Sequence, residues 1–243
     1  MGDAGWLVVV PAKGLGAAKS RLRGAVPAAA HGDLALAMLR DTLAAATACA
    51  DVLVVAGDAA VAAVARAAGA AVLPDPGAGL NAAIRLATDP PAAGPQAAGH
   101  DLAAGARAAH GLAAGRAPGG ALGRPRAALT GDLPGLRAEE LAAALRAAEA
   151  AGGRAFVADA AGTGTVLLAA PAGVPLDPAF GVGSAAAHAA GGARALTGDW
   201  PGLRHDADTA ADLRAALRHG PAAHTRALLG DLPSSDAAAC AAR

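Results

Sequence analysis

Three times in the first 75 residues a short apolar run rich in valine and leucine ends at a proline or a glycine, with alanine-rich segments of helical length between the runs. The runs are Trp6 to Pro11, Val52 to Ala56 and Ala71 to Leu73; the intervening segments are Ala30 to Ala48, carrying Leu34, Met38 and Leu39, and Ala59 to Ala68. Strands that alternate with helices call for a parallel sheet covered on both faces, an α/β fold of the doubly wound kind. The rhythm resumes with strands expected at Arg126 to Thr130, Ala155 to Ala158 and Thr165 to Ala169, and helices at Ala138 to Ala151 and Ala210 to Arg218. Between them, residues 88–125 lose it to Pro, Gly and Ala, with a weak helix at Asp101 to Leu112, and read as an insertion or mobile loop within one domain of residues 1–230. Residues 231–243 read as a frayed tail.

The chain has 243 residues, enough for one large domain, but 80 are Ala and only 2% are aromatic, so the core must be built from Leu, Val and Ala. Lys plus Arg and Asp plus Glu number 20 each, which leaves no basic surplus for a nucleic-acid backbone. Cys49 and Cys240 are too far apart for metal-site spacing and too few for a disulfide framework, as in a reducing cytoplasm. The Leu7 to Val10 run is too short for a signal peptide, and no segment gives a membrane span. A soluble, cytoplasmic protein is expected.

Four segments carry candidate chemistry. Pro11-Ala12-Lys13-Gly14 through Lys19-Ser20-Arg21 is a glycine-bearing turn between a strand and a helix, where backbone N–H groups can hold phosphates or simply turn the chain. It matches neither the P-loop nor the dinucleotide fingerprint, yet Lys13 and Lys19 are the only two lysines beside 18 arginines. Asp132 directly follows a strand, where it could reach a metal or satisfy loop amides. Asp206 and Asp208 share one side of an extended segment, as a hard cation would require, although Asp208 or Thr209 would also cap the next helix. Thr163, Thr165 and the stretch from Phe180 through Gly181 to Ser184 are small-residue clusters suited to an anion, or plain turns; His188 faces the same way as Ser184 if that stretch is helical. No nucleophile and base fall at hydrolase spacing, and Asp159 has no evident partner.

In order, the segments Val-Pro-Ala-Lys, Ala-Lys-Ser-Arg-Leu, Asp-Pro-Gly-Ala-Gly-Leu-Asn-Ala-Ala-Ile at 75–84, Gly-Asp-Leu-Pro, Gly-Thr-Gly-Thr, Phe-Gly-x-Gly-Ser-x-x-x-His and Asp-x-Asp-Thr resemble the phosphoenolpyruvate or 2-phospho-L-lactate guanylyltransferases of coenzyme F420 biosynthesis. The resemblance implies a three-layer α/β/α fold, nucleotide-diphospho-sugar-transferase-like, around a mixed, mainly parallel sheet. It implies GMP transfer from GTP to a small phosphorylated carboxylic acid with release of pyrophosphate. It assigns Lys13, Lys19 and their loop to the triphosphate, Gly79, Leu80 and Asn81 to guanine and ribose, and Asp132, Asp206 and Asp208 to Mg²⁺. Thr165, Gly181 and Ser184, with Thr163 as a neighbour, would hold the acid. The oligomeric state is open. A related transferase acting on molybdenum cofactor, 3-phospho-D-glycerate or a sugar phosphate, and a nucleotide-binding module without catalysis, are the competing readings.

Overall fold

The computed structural model describes residues 5–14, 26–88 and 123–231. Strand β1 (Leu7–Ala12) leads, across residues 15–25, to helix α1 (His31–Thr47), then β2 (Asp51–Ala56), α2 (Ala59–Ala67) and β3 (Ala71–Pro74). Helix α3 (Leu80–Thr88) precedes β4 (Arg126–Leu129), α4 (Ala138–Ala150), β5 (Ala155–Ala158) and β6 (Thr165–Ala170). Then come α5 (Ser184–Ala190), β7 (Arg194–Ala195), α6 (Pro201–Arg204), α7 (Ala210–Ala216) and α8 (Ala223–Asp231).

The seven strands form one sheet in the order β3-β2-β1-β4-β6-β5-β7. Every pairing is parallel except those of β6, which runs against both β4 and β5. The reversal has a consequence for where Thr165 lies. It places Thr165, the first residue of β6, at the sheet edge where β1, β2, β4 and β5 end, and Thr130 N–H donates to the Val166 carbonyl at 3.0 Å there.

Alternation along the strands loads both faces. Val8, Val10, Val52, Val54, Ala127 and Leu129 pack with Leu39 and Leu43 of α1, Val61 and Val64 of α2 and Leu141 and Leu145 of α4. Leu7, Val9, Leu53 and Val55 face Ala83 and Ala87 of α3, while Ala128, Phe156 and Leu168 face Ile84 and Ala185. Strands buried on both sides need near-continuous apolar sequence, which is why these runs stand out in the chain. With few aromatics, valine and leucine make the sheet and alanine lets the helices approach closely.

Helices α3, α6 and α8 were not anticipated. Helix α3 buries Ala83, Ile84, Ala87 and Thr88 on one stripe, a helical spacing that stood in the sequence beside the family motif. Its end is fastened to the start of β4: the fully buried Arg126 guanidinium donates to the Thr88 carbonyl at 2.7 Å and to the Val174 carbonyl at 2.7 Å. The chain therefore leaves and re-enters the fold at one place around residues 89–122. Those residues, with the expected helix at Asp101 to Leu112, lie outside the described residues, as do 232–243 of the tail.

Helix α8 was hidden by its polarity, since only Thr225 in it is buried. It is held by the buried Asp41 of α1, whose carboxylate accepts from the N–H groups of His224 and Thr225, each at 2.9 Å. A carboxylate on the first amides of a helix satisfies donors that have no partner within it and meets the positive end of its dipole. Asp41→Ala is expected to lower unfolding free energy by about 2 kcal/mol, read as a shift in the urea midpoint.

Candidate active site

The carboxyl ends of β1, β2, β4 and β5 and the start of β6 make one edge, where open α/β sheets bind their ligands. Lys13 and Gly14 follow β1, and the Ala12 carbonyl accepts from Gly57 N–H at 2.9 Å, so this turn lies against the end of β2. Lys13 is exposed. Lys19 and Arg21 lie outside the described residues.

Asp132 lies beyond the end of β4, half-buried. Thr42 of α1 fastens its loop, donating to the Met38 carbonyl at 2.9 Å and accepting from Leu133 N–H at 3.0 Å. The Asp132 carbonyl in turn accepts from Ala207 N–H at 3.0 Å. That bond docks the second acidic segment on the first. Ala207 is fully buried and the half-buried Asp206 and Asp208 flank it. Helix capping accounts for neither acid, because Thr209 caps α7 and Asp212 completes a capping box with it. Among the described residues, no three His, Cys, Asp or Glu side chains are gathered as a metal's ligand set. Carboxylates on two adjoining segments nevertheless suit Mg²⁺, which usually takes one or two protein carboxylates and completes its shell with substrate phosphates and water.

The small-residue clusters converge on the other side of β4. Asp159, which had no evident partner in the sequence, organises the β5–β6 turn, its two oxygens accepting from Thr163 N–H and Gly164 N–H at 2.9 Å each. Arg204 holds the start of the same turn through the carbonyls of Ala158 and Asp159. The Thr163 carbonyl accepts from Ala185 N–H at 3.1 Å, tying the turn to the start of α5. Gly183 caps α5 with φ +72°, a left-handed conformation natural to glycine, and turns the chain so that Ser184 is buried while Gly181 is exposed.

Asn81 joins this cluster to the 79–81 segment. Its side-chain amide donates to the Phe180 carbonyl at 3.0 Å and its oxygen accepts from Phe180 N–H at 2.8 Å. The 79–81 segment and the segment from Phe180 to Ser184 are thus one connected unit, with Gly79 exposed and Leu80 half-buried beside it.

His188 is the residue that the sequence underrated. It is buried, packed edge-on to Phe180 at 5.1 Å between ring centres and against Phe156 at 6.0 Å. Nδ1 lies 2.9 Å from the Thr165 hydroxyl, and Nε2 accepts from Ala179 N–H at 2.9 Å. Its spacing of four from Ser184 was the available signal. Burial holds its pKa below the ordinary value; the Asp177 carboxylate works against that and the Arg154 guanidinium with it. The unfolded chain therefore binds this proton more readily, and stability declines as the pH falls below about 6.5 until the folded ring also protonates. The melting temperature is expected to fall more steeply on acidification in the wild type than in His188→Asn.

Comparison with known proteins follows the same lines. Residues 6–93 match the family described as Guanylyl transferase CofC like. A phosphoenolpyruvate guanylyltransferase of Salinispora arenicola is 52% identical over 230 residues, covering 93% of this chain and 94% of that one. Those of Geodermatophilus obscurus and Streptomyces coelicolor are 52% and 43% identical, covering 93% of this chain in each case and 94% and 97% of theirs. Among solved structures, a putative nucleotide-diphospho-sugar transferase from Desulfovibrio desulfuricans superposes with a TM-score of 0.59 at 16% identity, over 93% of this chain and 96% of that one. That likeness supports the three-layer fold. No helix among the described residues is long and apolar enough to cross a membrane.

Proposed function

The chain belongs to the phosphoenolpyruvate guanylyltransferase family, and on that premise we propose that it transfers GMP from GTP to phosphoenolpyruvate. The products are enolpyruvyl-2-diphospho-5'-guanosine and pyrophosphate, in coenzyme F420 biosynthesis. One observation carries the reading: the lysine-bearing turn after β1, the docked segments of Asp132 and Asp206 to Asp208, and the Thr165, Gly181 and Ser184 cluster share one sheet edge. The edge offers positive charge for a triphosphate, carboxylates beside it, and small donors for a carboxylate. 2-Phospho-L-lactate is the alternative acceptor; the names of the relatives favour phosphoenolpyruvate.

The residue types suit the chemistry. The nucleophile is a phosphate oxygen of the acceptor, already ionised near neutral pH, so no general base is required. That oxygen bonds to the α-phosphorus of GTP as the bond to the β-phosphate oxygen breaks, and pyrophosphate leaves. Lys13, together with Lys19, would neutralise the departing charge. Asp132, Asp206 and Asp208 would hold Mg²⁺, which when bound neutralises the triphosphate and draws two anions together. Thr165, Gly181 and Ser184 would orient the acid, with Thr163 at the rim, while Pro11, Ala12, Gly14, Arg21, Gly79, Leu80 and Asn81 would line the nucleotide. The site needs GTP and the acid, with neither nucleic acid nor membrane, in keeping with a cytoplasmic enzyme.

The test is pyrophosphate release from the purified protein with and without Mg²⁺, crossing GTP, ATP and CTP against phosphoenolpyruvate, 2-phospho-L-lactate and 3-phospho-D-glycerate. Release with GTP and phosphoenolpyruvate alone is the expected result. Release with another acceptor reassigns the substrate, and silence in all pairings overturns the reading.

A further inference from the structure

We propose that His188 is a positioning residue for the acceptor's carboxylate, acting through Thr165: with its proton on Nδ1 it donates to the Thr165 hydroxyl, which leaves the hydroxyl's own proton to be donated to the substrate. The inference rests on the reading of Thr165 as a residue that holds the acid.

Two hydrogen bonds decide the direction. Ala179 N–H can only donate, so Nε2, 2.9 Å from it, must be the bare, accepting nitrogen of the ring. In a neutral imidazole the proton then sits on Nδ1, which faces the Thr165 oxygen at 2.9 Å. That contact makes the hydroxyl an acceptor toward His188. Its own proton has no other hydrogen bond to a described residue. A threonine hydroxyl left to itself rotates between donating and accepting, and one whose accepting role is taken by a fixed N–H is biased to donate. A carboxylate accepts only, so the bias matches the ligand.

The ring cannot easily change its mind. It is buried between Phe156 and Phe180, and moving its proton to Nε2 would set that N–H against Ala179 N–H. Asn81 fixes the adjoining Phe180 backbone with two hydrogen bonds, so the segment that presents Ala179 to His188 is itself held in place. The charged groups that face the ring are Asp177 and Arg154, joined to each other at 2.7 Å.

The test separates the two nitrogens. Asparagine places an amide near Nδ1, whereas glutamine reaches the position of Nε2. His188→Gln keeps an acceptor for Ala179 and loses the donor toward Thr165, so the KM for phosphoenolpyruvate should rise about tenfold or more, with kcat and the KM for GTP little changed. His188→Asn restores the donor and should recover most of that loss. In Thr165→Val, adding His188→Gln should cost nothing further, because the two side chains act as one unit. A purely structural role for His188 predicts the reverse order, since holding Ala179 is then what matters, and predicts that both KM values move together; either result overturns the proposal.

A second measurement needs neither variant nor activity. Long-range ¹H–¹⁵N correlation of the His188 ring in the wild-type protein should show protonated Nδ1 and bare Nε2 at neutral pH, and a proton on Nε2 overturns the proposal. If wild-type protein lacks guanylyl transfer to phosphoenolpyruvate while the ring is in the expected tautomer, the functional reading fails and the arrangement of His188 stands.

Discussion

Asp132→Asn is expected to lower kcat/KM for GTP and phosphoenolpyruvate by about 10²-fold or more, while the melting temperature stays at that of the wild type. The two halves of that expectation come from different atoms. Backbone groups tie the Asp132 loop to the fold: its carbonyl accepts from Ala207 N–H, and the next residue's N–H is satisfied by Thr42. Asparagine has nearly the same shape and leaves both bonds in place. What it removes is one negative charge beside the segment carrying Asp206 and Asp208, where the proposed reaction must bring two phosphate-bearing anions together. Steady-state pyrophosphate release measures the loss and thermal denaturation checks the fold; activity within a few-fold of wild type would remove Asp132 from the reaction.

The second large effect concerns how those acids are brought together. Gly135, three residues after Asp132, meets Gly202 of α6 and Gly220 beyond α7 so closely that a Cβ on any of them would fall within 3.0 Å of backbone. At Gly135 the obstacle is the Ala216 carbonyl; at Gly202 and Gly220 it is the Gly135 carbonyl. A side chain in the way can rotate, but a carbonyl in a packed turn cannot. Glu140 adds to the crowding, since its carboxylate accepts from Gly202 N–H at 3.2 Å, and its own burial raises its pKa. Gly220→Ala is therefore expected to cost about 3 kcal/mol or more, at or above the upper end for overpacking. The urea midpoint reads it directly, and a loss under about 1 kcal/mol would show that the junction yields. Because the 206–208 segment lies between Gly202 and Gly220, the variant should also lose activity in proportion to the misplacement of Asp206 and Asp208.

Much of the framework was legible before any fold. Val52 to Ala56 and the strand beginning at Thr165 lie within a residue of where the apolar runs put them, because strands buried on both faces cannot be written in any other alphabet. Helix α8 escaped because its N-terminus is anchored by a carboxylate 183 residues away, which no periodicity announces, and because its two leucines, Leu228 and Leu229, are only partly buried. Helix α3 escaped for a different reason: its stripe was present, but it is only nine residues long and follows directly on Asp-Pro-Gly-Ala-Gly at 75–79.

The site divides in the same way. The sequence by itself determined the kinds of groups available: two lysines in one segment, acids after a strand and around Ala207, and small hydroxyl residues between glycines. These are local facts, set by residue type and spacing. Only the tertiary structure decided which of them work together, because that depends on bonds between distant positions. Asn81 meets Phe180 across 99 residues, and Thr165 meets His188 across 23. A reversed β6 is what places Thr165 on the same edge as Asp132. Strand direction and long-range hydrogen bonds arise from packing the whole chain, so the roles of Asn81, Asp159 and His188 became readable only there.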